Sequence, residues 1–228
     1  MTNTDTIYSE LRKHLDKQAV GFPATKSGAE IRILKELFTP EQASLALHLS
    51  FEPRTINEIH AGIRDSSLSP YRVERLLRRM VINGAIGVVE RDNDNRYYLM
   101  PLLIGVVEWH DSRATPQFWE DFNKYLAEGY GKAYATTKVS QMRTIPVQKS
   151  LTPEHQVTTF DQVREIINNT EGRISIVPCM CREGAKAGGK PCKVTSRVET
   201  CMTFGDWAEH FIKLGSREIT REEALDII

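Results

Sequence analysis

SPYRVERLLRRMVINGAIGVVERDNDNRYYLM, Ser69 to Met100, decides how the amino-terminal half of the chain folds. Ser69 has the side-chain oxygen of an N-cap, and Pro70 suits the first helical position, where no backbone donor is needed. Val73, Leu76, Leu77, Met80 and Val81 then recur at helical spacing until Asn83-Gly84 stops the helix. Beyond it, Ile86 to Glu90 and Arg96 to Met100 read as strands around the turn-forming Asp92-Asn93-Asp94-Asn95, a hairpin. Upstream, Thr55-x-x-Glu58 is a capping box opening a short helix that carries Ile56, Ile59 and Ile63, and Thr39-Pro40 with Gln42 opens another running through Leu49. Three helices and a hairpin wing make a winged helix.

Further along, Thr115-Pro116 starts a helix whose Phe118, Trp119, Phe122, Tyr125 and Leu126 form a wide aromatic stripe before Gly129. The stripe reads as interdomain core, with a homodimer surface as its second reading. From Arg143 the pattern changes. Thr144 to Val147 and Ile174 to Pro178 are strand-like, Asp161 to Asn168 is a helix between them, and Phe204, Trp207, Ala208, Phe211 and Ile212 share one face of a helix ended by Gly215. A last capping box, Thr220-x-x-Glu223, opens a final helix. The expected organisation is α+β: a winged-helix domain with N-terminal helices over residues 1–110, a helical connector over 111–142, and a small α+β cysteine-cluster domain over 143–228.

Lys plus Arg number 30 and Asp plus Glu number 30, so no net charge draws the whole molecule to nucleic acid or an anionic membrane, and polyanion binding would have to be local. The longest apolar run, Leu102 to Val107, is far short of the roughly 20 residues of a spanning helix, and no signal peptide is visible. A cytoplasmic, reducing location is expected. There cysteines serve more often as metal ligands or redox groups than as structural disulfides.

All four cysteines, Cys179, Cys181, Cys192 and Cys201, fall in the last quarter of the chain. They converge on one centre if the Cys-x-Cys pair leaves a strand end, a Gly-rich loop returns Cys192, and a helix start presents Cys201. A 4Fe-4S cluster and zinc both accept four thiolates; the absence of paired Cys-x2-Cys knuckles favours the cluster, and unligated thiols remain a third reading. Arg182, Lys186, Lys190, Lys193 and Arg197 surround the ligands in sequence and would offset the anionic charge of a thiolate-bound cluster.

These residues carry a resemblance. Pro178-Cys-Met-Cys-Arg182, then Cys192, then the run from Glu199 to Ile227, ETCMTFGDWAEHFIKLGSREITREEALDI, resembles the signature of a family of 4Fe-4S-binding proteins of anaerobes. The similarity extends to Gly21-Phe-Pro-Ala-Thr-Lys-Ser-Gly-Ala-Glu30, to the winged helix, and to Arg143 to Val147. The resemblance implies an iron-sulfur domain with Cys179, Cys181, Cys192 and Cys201 as ligands. Two departures stand out. The interval between Cys192 and Cys201 is longer and lacks a proline, and the two-cluster ferredoxin cassette to which the family is often fused is absent from this sequence.

On the expected recognition helix, Arg72, Arg75, Arg78 and Arg79, with Tyr71 beside them, lie opposite the apolar stripe, as on a groove-reading helix. Asp92 and Asp94 at the wing tip would face phosphates, and Arg54 to Arg96 holds eight Arg against six acidic residues, a small surplus for phosphate neutralisation. Two functions follow: a 4Fe-4S redox or electron-transfer protein whose winged helix docks an acidic partner such as a ferredoxin, and, second, a cluster-sensing transcription regulator that binds DNA. His48, His60, His110 and His210 are scattered, and no catalytic motif specifies an enzyme.

Overall fold

The computed structural model describes residues 3–63, 68–110, 113–138 and 160–228. The segment Thr144 to Val147, expected as a strand, lies outside the described residues. The architecture is mixed helix and sheet, with two three-stranded sheets, and no helix among the described residues is long and apolar enough to cross a membrane. The chain forms two compact units: residues 1–141 with 184–190, and residues 142–183 with 191–228.

The first unit begins with α1 (Asn3–Leu15), α2 (Ala29–Leu37) and α3 (Pro40–Ala46). Thr39 caps α3 in a complete capping box with Gln42. A two-residue strand, β1 (Arg54–Thr55), leads into α4 (Ile56–Ala61), where Thr55 and Glu58 form the second complete box. Then comes α5 (Pro70–Ile82), capped by the Ser69 hydroxyl, which accepts from the Arg72 N–H. Its Val73, Leu76, Leu77, Met80 and Val81 are buried at the expected spacing. Gly84, at φ 72°, ends the helix: its N–H donates to Val81 and that of Ala85 to Met80, the paired bonds of a glycine C-terminal cap.

The hairpin consists of β2 (Gly87–Arg91) and β3 (Asp94–Tyr98), paired antiparallel with Arg91 opposite Asp94. Its turn is tighter than expected. Only Asp92 and Asn93 are unpaired, at φ 55° and 60°, because two left-handed residues match the strands' twist and Asp and Asn tolerate that conformation. β1 completes the sheet in the order β1-β3-β2. Gly87 is required by packing: a Cβ there would come within 2.3 Å of the Tyr98 ring.

A wide helical turn (Leu102–Val106) runs into α6 (Val107–His110), and α7 (Pro116–Tyr125) follows, capped by Thr115. Phe118, Trp119, Phe122 and Tyr125 of α7 are buried within this unit, where α7 packs on α2. Arg32 of α2 grips buried Asp121 through Nε and Nη2, at 2.8 and 2.6 Å. Contrary to the sequence reading, Gly129 does not end the helix. The chain continues through a second wide turn (Leu126–Tyr130) into α8 (Gly131–Thr136), because buried Tyr130 is held against Phe22 and Tyr125. The glycine instead lies where Pro23 and Thr25 approach, its virtual Cβ 3.6 and 3.5 Å from them.

That contact explains the Gly21–Glu30 motif. Phe22 packs tilted against Tyr125, ring centroids 5.2 Å apart, Thr25 donates to buried Glu30, the Ser27 N–H donates to Glu128 at 3.2 Å, and Gly28, at φ 68°, precedes α2. The motif straps the chain onto the aromatic face of the 116–130 segment.

The second unit contains α9 (Phe160–Asn169), β4 (Ile174–Pro178), α10 (Met180–Ala187), β5 (Glu199–Phe204), α11 (Asp206–Lys213), β6 (Arg217–Ile219) and α12 (Arg221–Ile227), with the last four residues of α10 counted in the first unit. β4 is the centre of an antiparallel sheet ordered β5-β4-β6. Ile167 of α9, Ile174 and Ile176 of β4, Ile219 of β6 and Ala224 of α12 form its buried cluster. Thr220 caps α12, its hydroxyl accepting from the Glu223 N–H.

Candidate metal centre

The two cysteines nearest the sheet are brought together. Cys201 lies in β5 opposite Val177 of β4. Cys179 follows β4 directly, and its N–H donates to the Val198 carbonyl at 2.8 Å, so the chain stays strand-paired past the register shift between Val177 and Pro178. Cys179 thus lies two residues beyond Val177 on the segment that pairs with β5. The sequence reading expected a helix start to present Cys201; the structure puts it inside a strand. The β-branched and aromatic residues of Glu-Thr-Cys-Met-Thr-Phe pair with β4, and Ser175 and Thr203 share a cross-strand hydroxyl bond of 2.7 Å.

Cys179 is also the residue before α10. Its carbonyl accepts from the N–H groups of Arg182 and Glu183 at 2.9 and 3.0 Å. Its sulfur sits at the amino end of that helix. Burial pushes its pKa up, but donors from the Arg182 N–H, the Cys201 thiol, the Cys181 N–H and the Thr200 hydroxyl outweigh that and hold it below the usual thiol range. Backbone donors and the positive end of the helix favour a thiolate.

The segment was expected to be a Gly-rich loop, and the helix was missed. Met-Cys-Arg-Glu-Gly-Ala-Lys-Ala contains mostly strong helix formers. Only after it do Gly188 and Gly189 stop the chain: Gly189 lies at φ 72°, its N–H donates to Lys186, and the Lys190 N–H donates to Ala185. A capping signal was present in Gly188-Gly189, but a cysteine as the opening residue was not recognisable as one.

Cys181 is exposed in the first turn of α10, its thiol 3.3 Å from the Met180 sulfur. Exposed Cys192 lies in the loop between α10 and β5. The N–H groups of Thr195 and Val194 hold its thiol pKa below the usual range, with help from the Arg182 guanidinium. Arg182 thus serves both thiol groups, by its backbone at Cys179 and its side chain at Cys192. Its Nη1 is buried without a hydrogen-bond partner. Lys193 and Arg197 are exposed, and Lys190 belongs to the residues that group with the first unit.

Among the described residues no three or more His, Cys, Asp or Glu side chains converge tightly enough to hold a metal ion. The donor chemistry nevertheless fits a thiolate-bound anionic centre: four thiols in one unit, two of them favoured as thiolates, and one buried guanidinium nitrogen awaiting an acceptor. The helix face expected to carry Phe204, Trp207, Ala208, Phe211 and Ile212 differs from the sequence reading. Phe204 is in β5 rather than on the helix, and Trp207 is 62% exposed on α11, while Ala208 is buried.

On α5, Tyr71 is 74% exposed, and Arg72, Arg75, Arg78 and Arg79 share its solvent face. Arg72 is paired with Glu41 at 2.6 Å and Arg78 with Glu74 at 2.7 Å. No ion pair is present at Arg75 or Arg79 among the described residues.

No family model, curated protein or solved structure matches the chain.

Proposed function

We propose that this chain binds one 4Fe-4S cluster through Cys179, Cys181, Cys192 and Cys201 and acts as a cytoplasmic redox or electron-transfer protein, with a winged-helix module that docks its partner. One observation carries this reading: Cys179 directly precedes the helix that bears Cys181 and Arg182, its carbonyl accepting from the Arg182 and Glu183 N–H groups, on a segment paired with the strand that holds Cys201. A helix amino end, backbone N–H donors and a half-buried guanidinium stabilise thiolates and the negative charge that a cubane adds. Zinc is the alternative occupant of the same sulfurs.

The order α3, α4, α5 and hairpin, with β1 added to the hairpin's edge, supports the winged-helix reading. It also supports a second function, a cluster-sensing regulator, because Arg75, Arg79 and Tyr71 present an open face on the third helix. The pairing of Arg72 and Arg78 with glutamates lowers the charge left for phosphates and favours an acidic protein partner such as a ferredoxin.

Anaerobically prepared protein should contain about four iron and four sulfide per chain, as a single cubane requires. Stoichiometric zinc without sulfide, in iron-replete anoxic preparations, would show the site to be a zinc centre. In the same preparations, DNA binding that weakens steeply with salt and is lost in the Arg75→Ala/Arg79→Ala double variant would favour the regulator; its absence favours the docking module.

A further inference from the structure

The chain from Lys186 to Arg197, KAGGKPCKVTSR, is exposed at every residue. It carries Lys186, Lys190, Lys193 and Arg197, and from Gly184 to Val198 there is no acidic residue. Other surface arginines hold glutamates: Arg72 pairs with Glu41, Arg78 with Glu74, Arg173 with Glu218, and Arg217 with Glu199 and Glu223. At Lys186, Lys190, Lys193 and Arg197 no ion pair is present among the described residues. The run turns after α10, where Gly189 lies at φ 72° and the Lys190 N–H donates to Ala185, and Pro191 cannot continue a helix. Within it Val194 is 93% exposed, more than any other exposed large hydrophobic residue described. Four unpaired cations in a chain of zero net charge concentrate positive potential in one stretch, which speeds encounter with an anionic surface. An apolar side chain left in water among them gains by being covered.

We infer that the run from Lys186 to Arg197 is a docking surface for an acidic protein whose carboxylates meet Lys186, Lys190, Lys193 and Arg197 and whose apolar contact covers Val194. A nucleic acid fits the run less well. It holds no aromatic ring on which a base could stack, and a phosphate backbone would leave Val194 in water. The surface is separate from the open face of α5, where two of the four arginines are already paired with glutamates. Its redox meaning rests on the cluster reading above: Cys192 lies inside the run, so a partner held there reaches one of the proposed ligands. Docking itself requires no metal.

The test titrates a fluorescently labelled acidic 2Fe-2S ferredoxin with the full chain, prepared anaerobically, with iron and sulfide counted in every sample. Binding should weaken as salt rises, and about tenfold or more in the Lys186→Glu/Lys193→Glu double variant, while Lys186→Arg/Lys193→Arg keeps it. Val194→Ser should weaken binding about threefold with its salt dependence unchanged, which separates the apolar contact from the charges. Circular dichroism of each variant should match the parent. Undiminished binding in Lys186→Glu/Lys193→Glu, with loss in Arg75→Ala/Arg79→Ala, would move docking to α5 and overturn the inference. Absence of salt-sensitive binding, or tighter binding of a single-stranded oligo-dT than of the ferredoxin, would also overturn it. Protein that takes up no iron yet binds the ferredoxin through the run retains the surface and removes the cluster; iron-loaded protein that ignores the ferredoxin does the reverse.

Discussion

The two units hold themselves together by different means. Among the described residues, the first buries aliphatic and aromatic side chains from seven helices, among them Leu11, Ile33, Leu34, Leu77, Met80, Phe118 and Tyr125, with Tyr130 beyond α7. Among the described residues, the second rests on a small cluster of Ile167, Ile174, Ile176, Ile219 and Ala224. Around it lie surface ion pairs: Arg173 with Glu218, and Arg217 with both Glu199 and Glu223. Exposed pairs contribute little each, and a core this small needs a staple. The cysteines occupy the unit with the smaller described core. A bound metal centre there would stabilise as well as perform chemistry, since binding to the native state alone adds to its stability.

The sharpest way to break this comparison is to remove the staple. If the proposed cluster is bound, Cys179→Ser, or metal removal, should abolish its absorbance and lower the melting transition of the second unit while the first unit's transition stays in place. Calorimetry with parallel absorbance reads both. Equal loss in both units would show that the second does not depend on its own centre.

The opposite experiment strikes the first unit. Leu77, fully buried on α5, should cost about 2–5 kcal/mol when replaced by alanine, from lost burial and the cavity left. Urea unfolding should register that loss with iron content per chain unchanged. A loss below about 0.5 kcal/mol would place α5 outside the cooperative core.

A smaller effect is expected from acid. His110 is 2% exposed, its Nδ1 is 2.6 Å from the Asn83 carbonyl, and burial holds its pKa below the ordinary imidazole value. Glu36, 3.8 Å from Nε2, pulls the other way but less strongly, and Arg113 adds to the depression. The unfolded chain therefore binds more protons than the folded one below about pH 6.5. Stability from this group is complete above that pH, falls as pH drops through it, and levels off below the folded pKa. Unfolding free energies between pH 7.5 and 5.5 should show the slope for the first unit, and His110→Gln should flatten it.

Legibility differed between the units for the same physical reason. The first is written in local signals: Thr39, Thr55 and Ser69 each cap a helix within three residues of themselves, and Gly84 and Ala85 close α5 through bonds to Val81 and Met80. The cysteine region depends on partners far along the chain. Glu199–Phe204 becomes a strand because β4 lies beside it, with Ile174 opposite Phe204 and Val177 opposite Cys201. Met180–Ala187 becomes a helix behind a cysteine cap that has no ordinary capping signature.

The sequence by itself determined the α+β composition, the caps, the apolar face of α5, the near position of the hairpin and the four candidate thiols, because each depends on residue chemistry at short spacing. Tertiary structure decided the rest. Tyr130 packing on Phe22 and Tyr125 carried a helical segment through Gly129, and strand pairing set Cys201 opposite Val177, two residues before Cys179. Contacts between residues distant in sequence overrode weak local preferences there, since burying a large ring or completing a ladder stabilises more than a single glycine or cap opposes.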